Sequence, residues 1–349
     1  MKIRKKCIGY LNKCYSIAPL HYKNQDFFLV AAEKQDPCYL YDLDGNQIEK
    51  IWDGPGGVMS MVQIPRSNGE FLATFQFYSP NDSREAKIMR IIPDGNGHWN
   101  AQILVNLPFV HRFDILESGE DLYLLACTIK SKHEYKDDWR SPGKVYAARL
   151  PKDLSTFSAS KPLELTILKD NMLKNHGYSR FRENNQDTAL ISCEEGIFQF
   201  CPPSPDNDHW KIIPLLGVPA SDAILIDLKG NGAKELCVIT PFHGDQVSIY
   251  SQNGNHYEKV YDYPEPAEFS HAIYGCTLCK HPAFVFGYRK GKRNLIAITW
   301  DKVSNTFQET LIDTGCGPAN VYSYQKEQED IIIAANREIN EIAMYHITE

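Results

Sequence analysis

Ser221-Asp222-Ala223-Ile224-Leu225-Ile226 and Ser270-His271-Ala272-Ile273-Tyr274-Gly275 decide how this chain is read. Each is a short polar crossover feeding an apolar strand, and Asp222 and His271 stand 49 residues apart. Working outward, Ala319-Asn320-Val321-Tyr322 repeats the pattern 49 residues after His271, and Asn175-His176-Gly177-Tyr178 places it 46 residues before Asp222. Earlier copies lie at Val110-His111-Arg112-Phe113 and Gly57-Val58-Met59-Ser60. The interval from His111 to His176 is 65 residues, and its excess of about 16 falls in a polar insertion, 130–144.

A fixed period of roughly 50 residues is the signature of a repeat architecture, in which each unit buries its apolar face against the next. Within a unit the crossover strand is followed by a tight turn, a strongly apolar strand such as Leu236-Cys237-Val238-Ile239, a second loop and a third strand. An amphipathic fourth strand such as Gln47-Ile48-Glu49-Lys50-Ile51-Trp52 ends it. Helical periodicity is almost absent, and turn signals such as Asp44-Gly45-Asn46 and Asn253-Gly254-Asn255 punctuate the runs. Four strands per unit is a propeller blade. Across 349 residues the period predicts an all-β, seven-bladed β-propeller spanning 1–349 as one domain. The last unit runs out one strand short, so an N-terminal strand around Lys6 to Leu11 is expected to complete the last blade, closing the ring and removing its exposed edge.

Composition narrows the partners. A hydrophobic fraction of 43% and a charged fraction of 23% suit a globular core. A net charge of −7 with no dense basic run argues against nucleic acid, and no stretch approaches the ~18 apolar residues of a membrane helix. The ten cysteines are read as reduced thiols in a cytoplasmic protein, and the lone pair Cys276/Cys279 lacks the second pair that a zinc site needs.

The stretch Ile226-Asp227-Leu228-Lys229-Gly230-Asn231-Gly232-Ala233-Lys234-Glu235-Leu236 resembles the Asp-rich turn of FG-GAP or VCBS-type propeller repeats. In that family the turn often binds calcium. Here Lys229 stands where a second acidic ligand would be and Asn231 replaces a third, which points to a lysine-neutralised structural turn.

In a propeller the first strands line the central axis, so equivalent crossover residues converge at one mouth. That column reads Val58, His111, His176, Asp222, His271 and Asn320. Three imidazoles and a carboxylate suit a divalent metal ion, with His111, His176, Asp222 and His271 as its expected ligands. His111, His176, His271 and Tyr178 are the expected acid–base residues. Loops joining second and third strands share that mouth, which places His133, Tyr135 and Trp139 of the insertion, His243 and Arg289 on the substrate side with Arg112, Arg180 and Asn320. The insertion is expected on the ligand face, where an aromatic and charged lid suits a small-molecule carbohydrate.

Templates for serine hydrolases, phosphoryl transfer, zincins and dinucleotide binding are absent from the sequence. A His-rich, metal-bearing site suits proton abstraction beside a carbonyl, followed by elimination or isomerisation. Histidines in the funnel of such a propeller resemble the propeller domain of aldos-2-ulose dehydratases and related keto-sugar lyases, although no contiguous motif matches and their cupin domains have no counterpart here. The resemblance implies a carbohydrate-active lyase on a keto sugar or oxidised glycoside. Two alternatives stay open: a non-catalytic interaction module, and a glycoside hydrolase built on carboxylates such as Glu134, Asp222 and Glu194.

Overall fold

In the computed structural model, which describes every residue except 184, 185 and 255, the chain is all-β. Among the described residues there are 28 strands and a single 3-10 turn, Arg337–Ile339. They form six hydrogen-bonded sheets, five of four strands and one of eight. The eight-stranded sheet consists of two four-strand runs, residues 110–172 and 177–216, joined by the lone pair Ser118 and Gln186. Strand Lys2–Tyr10 pairs antiparallel with Glu341–Thr348 and is the fourth strand of the sheet formed by the chain's last three strands.

Burial follows position within each run. Second strands such as Phe71–Phe75, Glu235–Thr240 and Glu329–Asn336 are buried on both faces, which is why they read as continuous apolar segments. Outer strands such as Gln47–Trp52 and His256–Asp262 are largely exposed, and their residues alternate in character.

The core is distributed between sheets. One apolar cluster joins Leu29 and Leu40 to Phe71 and Met89, and the next joins Leu72 and Ile88 to Ile115 and Leu124. This succession continues along the chain to a cluster in which Phe28 and Tyr41, from the first four-strand run, pack on Ile331, Ile333 and Met344 of the last. Phe28 and Tyr41 are stacked with ring centroids 5.3 Å apart and are fully buried. Truncating either to Ala removes contacts on both sides of that junction, at a cost of about 3–5 kcal/mol.

Seven first strands, Cys14–Tyr22, Met61–Gln63, Val110–Ser118, Gly177–Glu183, Asp222–Ile226, Ser270–Leu278 and Asn320–Lys326, contribute to the wall of one cavity of about 460 Å³. In an antiparallel run the first strand starts at the edge where the second strand ends. The starts of these strands and the loops joining second to third strands therefore share one rim, and the candidate site lies there.

Candidate functional site at the axial rim

Backbone irregularity aims several of the rim side chains. His111 and His271 each sit at a break in register at the start of a first strand, between Val110 and Arg112 and between Ser270 and Ala272. Tyr15 occupies the same place in its own strand, between Cys14 and Ser16. A bulge of this kind leaves one residue outside the ladder and re-aims its side chain. His176 precedes Gly177, where a Cβ would lie 2.4 Å from the Ser221 carbonyl oxygen. Glycine there lets the strand after His176 close on the backbone of Asp222. His243 has a φ of 49°, a left-handed conformation that costs a non-glycine residue energy and is found disproportionately at functional sites.

These placements gather four imidazoles. The donor nitrogens of His176, His243 and His271 lie within 4.8 Å of one another. His176 Nε2 is 3.2 Å from His243 Nε2, so one nitrogen must carry a proton for the other, or a shared cation must take the proton's place. Two nitrogens at ~2.0–2.1 Å from a tetrahedral cation stand about 3.3 Å apart, so the observed spacing fits metal ligation.

Outer partners fix the rings. His176 Nδ1 donates to Asp222 Oδ2 at 2.8 Å, the carboxylate–imidazole arrangement that orients a metal-binding histidine. His271 Nδ1 donates to the Ala319 carbonyl at 2.8 Å, and its Nε2 accepts from the Tyr15 hydroxyl at 2.9 Å. His111 Nδ1 donates to the His176 carbonyl at 3.1 Å, and the two rings lie 4.5 Å apart.

The electrostatics keep three of these rings, those of His111, His243 and His271, neutral. Burial holds His111, His243 and His271 well below the usual imidazole range. The neighbouring His176 adds to this at His111 and His243, and the Arg289 guanidinium does so at His271. Neutral imidazole is the form that donates a lone pair to a metal. Burial also pushes the Tyr15 phenol up to about 12, which keeps it protonated.

Among the described residues, the side chains close enough together to hold an ion are His176, His243 and His271, whereas the ligands expected from the sequence are His111, His176, Asp222 and His271. His176 and His271 are brought together, His243 joins them from the substrate-facing group, and His111 and Asp222 lie behind the cluster, engaged with His176. His111 Nδ1 is bonded to the His176 carbonyl and the Asp222 carboxylate to His176 Nδ1, so both sit against His176 and outside the group of nitrogens that lie within 4.8 Å of one another.

The other expected site residues separate into two zones. Arg112, Tyr178, Arg180 and Asn320 line the axial cavity together with Asp222 and His271. The Tyr178 hydroxyl is buried without a hydrogen-bond partner; burial and then the charge of Asp114 hold its pKa well above the usual phenol range. Asn320 Nδ2 donates to the Tyr15 carbonyl at 2.9 Å. On the outer side, Trp139 of the insertion meets the Phe242 ring at 5.5 Å, and Phe242 stacks on His243 at 4.0 Å and touches His176 at 5.3 Å. Arg289 lies over Phe269 and pairs with Glu338. His133 packs on Phe109, while Tyr135 is 57% exposed beside Arg140, so neither lines the cavity.

The carboxylates Glu134, Asp222 and Glu194 are held by separate partners, Arg140, His176 and Lys174. In the Asp-rich turn, Asp227 accepts from the backbone N–H groups of Asn231 and Gly232, and Lys229 lies 3.4 Å from Glu235.

No protein-family model matches the chain, and a search of curated proteins finds no relative. Solved structures do match. A streptogramin B lyase aligns over 99% of this chain and 98% of its own, with 14% identity and a TM-score of 0.57. A crystal structure from Bacteroides uniformis, described as a candidate 6-phosphogluconolactonase, aligns over 97% of this chain and 93% of its own, with 13% identity and a TM-score of 0.56. The Swd1 β-propeller domain of Myceliophteria thermophila covers 99% of this chain and 100% of its own at 9% identity and a TM-score of 0.55. At these identities the likeness concerns the fold alone, which is that of a β-propeller. No helix among the described residues is long and apolar enough to cross a membrane.

Proposed function

We propose that this chain is a seven-bladed propeller, the eight-stranded sheet counting as two blades and Lys2–Tyr10 completing the last, that acts as a metal-assisted carbon–oxygen lyase or isomerase on a keto sugar or oxidised glycoside. The reading is carried by one observation, the approach of His176, His243 and His271, the last of which lines the axial cavity. A divalent cation held by these three imidazoles would supply Lewis-acid polarisation of a substrate carbonyl. The fit is supported by the neutral state of His243 and His271 and by Asp222 behind His176.

The chain's own residues do the rest. Elimination breaks a C–H bond beside the carbonyl, turns its electron pair into a C=C bond and expels an oxygen leaving group from the next carbon, which takes up a proton. Tyr178, whose protonated hydroxyl has no partner, can give the leaving oxygen its proton, and the Asp114 carboxylate in the same cavity wall can take the proton from carbon. The Tyr15 hydroxyl is bonded to His271 Nε2, and a cation taken up by that nitrogen would release the hydroxyl as a proton donor beside the cluster. Asp222 fixes the His176 ring, and Trp139 with Phe242 keeps water from the outer side of the cluster.

A hydrolytic reading has its own support, because Asp114 and Asp222 both line the cavity and burial raises the Asp114 carboxyl, as a general acid requires. One experiment separates the two. Purified protein is analysed for bound divalent metal and incubated with keto sugars and aryl glycosides in D₂O. Near-stoichiometric metal together with deuterium at a carbon beside the carbonyl supports the lyase; glycoside cleavage without carbon-bound deuterium, or turnover in metal-free protein, overturns it.

A further inference from the structure

We infer that the substrate of the axial cavity is a carboxylate-bearing polyol of about one or two sugar rings, and that Arg112 receives its carboxylate. The inference rests on the reading of the cavity as a substrate site, but a separate observation carries it: the pairing of the guanidinium groups around the rim. Arg180 is committed to Asp114 at 3.3 Å, Asp187 at 3.9 Å and the Ile115 carbonyl at 3.1 Å. Arg289 is committed to Glu338 at 2.8 Å. Arg112, by contrast, makes one hydrogen bond, from Nη1 to the Met59 carbonyl at 2.6 Å, and lies 5.8 Å from the centre of the Tyr15 ring. Among the described residues no carboxylate lies within 4.0 Å of it.

A guanidinium offers five N–H donors in a fork that matches a carboxylate. Arg112 spends one of them on Met59 and lines the cavity with the rest of its head group. The two cavity carboxylates cannot serve it, since Asp114 is paired with Arg180 and Asp222 with His176. A half-buried, unpaired cation facing a half-open polar cavity is the complement of an anion. A single such cation, with two carboxylates in the same wall, matches a monoanion better than a phosphate dianion.

The remaining lining supplies the polyol half of the argument. Ser60, Ser179, Asn320, Tyr274 and Tyr322 offer hydroxyl, amide and aromatic surfaces within about 460 Å³, a volume in the range of small-molecule sites. The Tyr15 ring beneath the Arg112 head group carries the hydroxyl that bonds His271 Nε2. A carboxylate on Arg112 therefore places the adjoining carbons beside Tyr15 and the histidine cluster.

Isothermal titration calorimetry tests this with D-glucuronate and D-galacturonate against glucose and galactose, and with glucose 6-phosphate. Wild type, Arg112→Lys and Arg112→Leu are each measured with chelator and with added divalent metal. The expected result is that wild type prefers the acids to their neutral counterparts by about tenfold or more, the worth of one charge-assisted pair. Arg112→Leu abolishes the preference and Arg112→Lys keeps part of it. Should Arg112→Leu melt far below wild type, the lysine variant and the decline of the preference with added salt carry the test. Equal binding of acid and neutral sugar, a preference that survives in a folded Arg112→Leu, or tighter binding of glucose 6-phosphate than of either acid overturns the assignment. An acid preference in protein without metal or deuterium exchange would sink the lyase reading and leave this assignment standing. Exchange on keto sugars with no acid preference would do the reverse.

Discussion

Two regions of the molecule carry the residue types of a metal site: the axial cluster of His176, His243 and His271, and the Asp227–Glu235 turn. In the turn, the protein satisfies its own ligands. The Asp227 oxygens accept two backbone N–H groups, at 3.0 and 2.8 Å, and Lys229 supplies the positive charge near the buried Glu235. In the cluster, two Nε2 atoms face each other at 3.2 Å, and among the described residues no lysine or arginine is hydrogen-bonded to either. A ligand-rich motif is thus poised for a cation only where the fold withholds an internal one.

The largest effect expected from this contrast is on metal content. Wild type should hold about one equivalent of divalent ion after dialysis. His243→Ala and His176→Ala should reduce it to background, while Asp227→Ala leaves it unchanged; elemental analysis of the three variants decides whether cluster and turn differ in this way.

Acidification comes next. In the unfolded chain histidines titrate near their usual value, about 6.5. In the fold, His111 and His271 are held well below it by burial. Below about pH 6.5 the unfolded state binds more protons, so chelator-treated protein should lose stability as pH falls, by up to about 1.4 kcal/mol per pH unit for each ring. Denaturant melts at pH 7 and pH 5.5 would expose a flat profile if the rings titrate normally.

A smaller effect is expected behind the cluster. Asp222→Asn keeps the shape and removes the charge that orients His176, so metal affinity should fall about 10–100-fold with the fold intact, measured by competition with a chelating dye. The smallest effect belongs to the turn. Lys229→Met should cost about 1 kcal/mol through the uncompensated Glu235, and added calcium should not restore it. A calcium-dependent rise in melting temperature would mean that the turn is a second metal site after all.

Much of this architecture could be read along the chain. The 46- and 49-residue spacings between His176, Asp222, His271 and Asn320 follow from the rise of one first strand to the next, and the structure sets all four at strand starts on one rim. Of the expected insertion 130–144, only 131–141 is a loop, between Asp121–Lys130 and Pro142–Leu150, and the longer connection 151–165, which leads to Thr166–Met172, carries the rest of the excess. Tyr15 went unassigned because the column began at Val58. Extended one unit earlier, the same alignment reaches Cys14-Tyr15-Ser16-Ile17, so the signal was present in the sequence. His243 is expected at the same mouth from its loop between second and third strands, but it lies outside the column and reaches the cluster through a φ of 49° that no residue pattern announces.

The sequence by itself determined the repeat, the strand order within each unit and which side chains begin the first strands, because period and hydrophobic alternation are properties of the chain. Tertiary structure alone decided which of those side chains meet, and which donors are already spent. Whether His111 or His243 completes the triad, and whether Arg112 or Arg180 is left without a partner, depends on angstrom-scale distances between strands far apart in sequence. Those distances are set by bulges, by Gly177 and by packing between sheets.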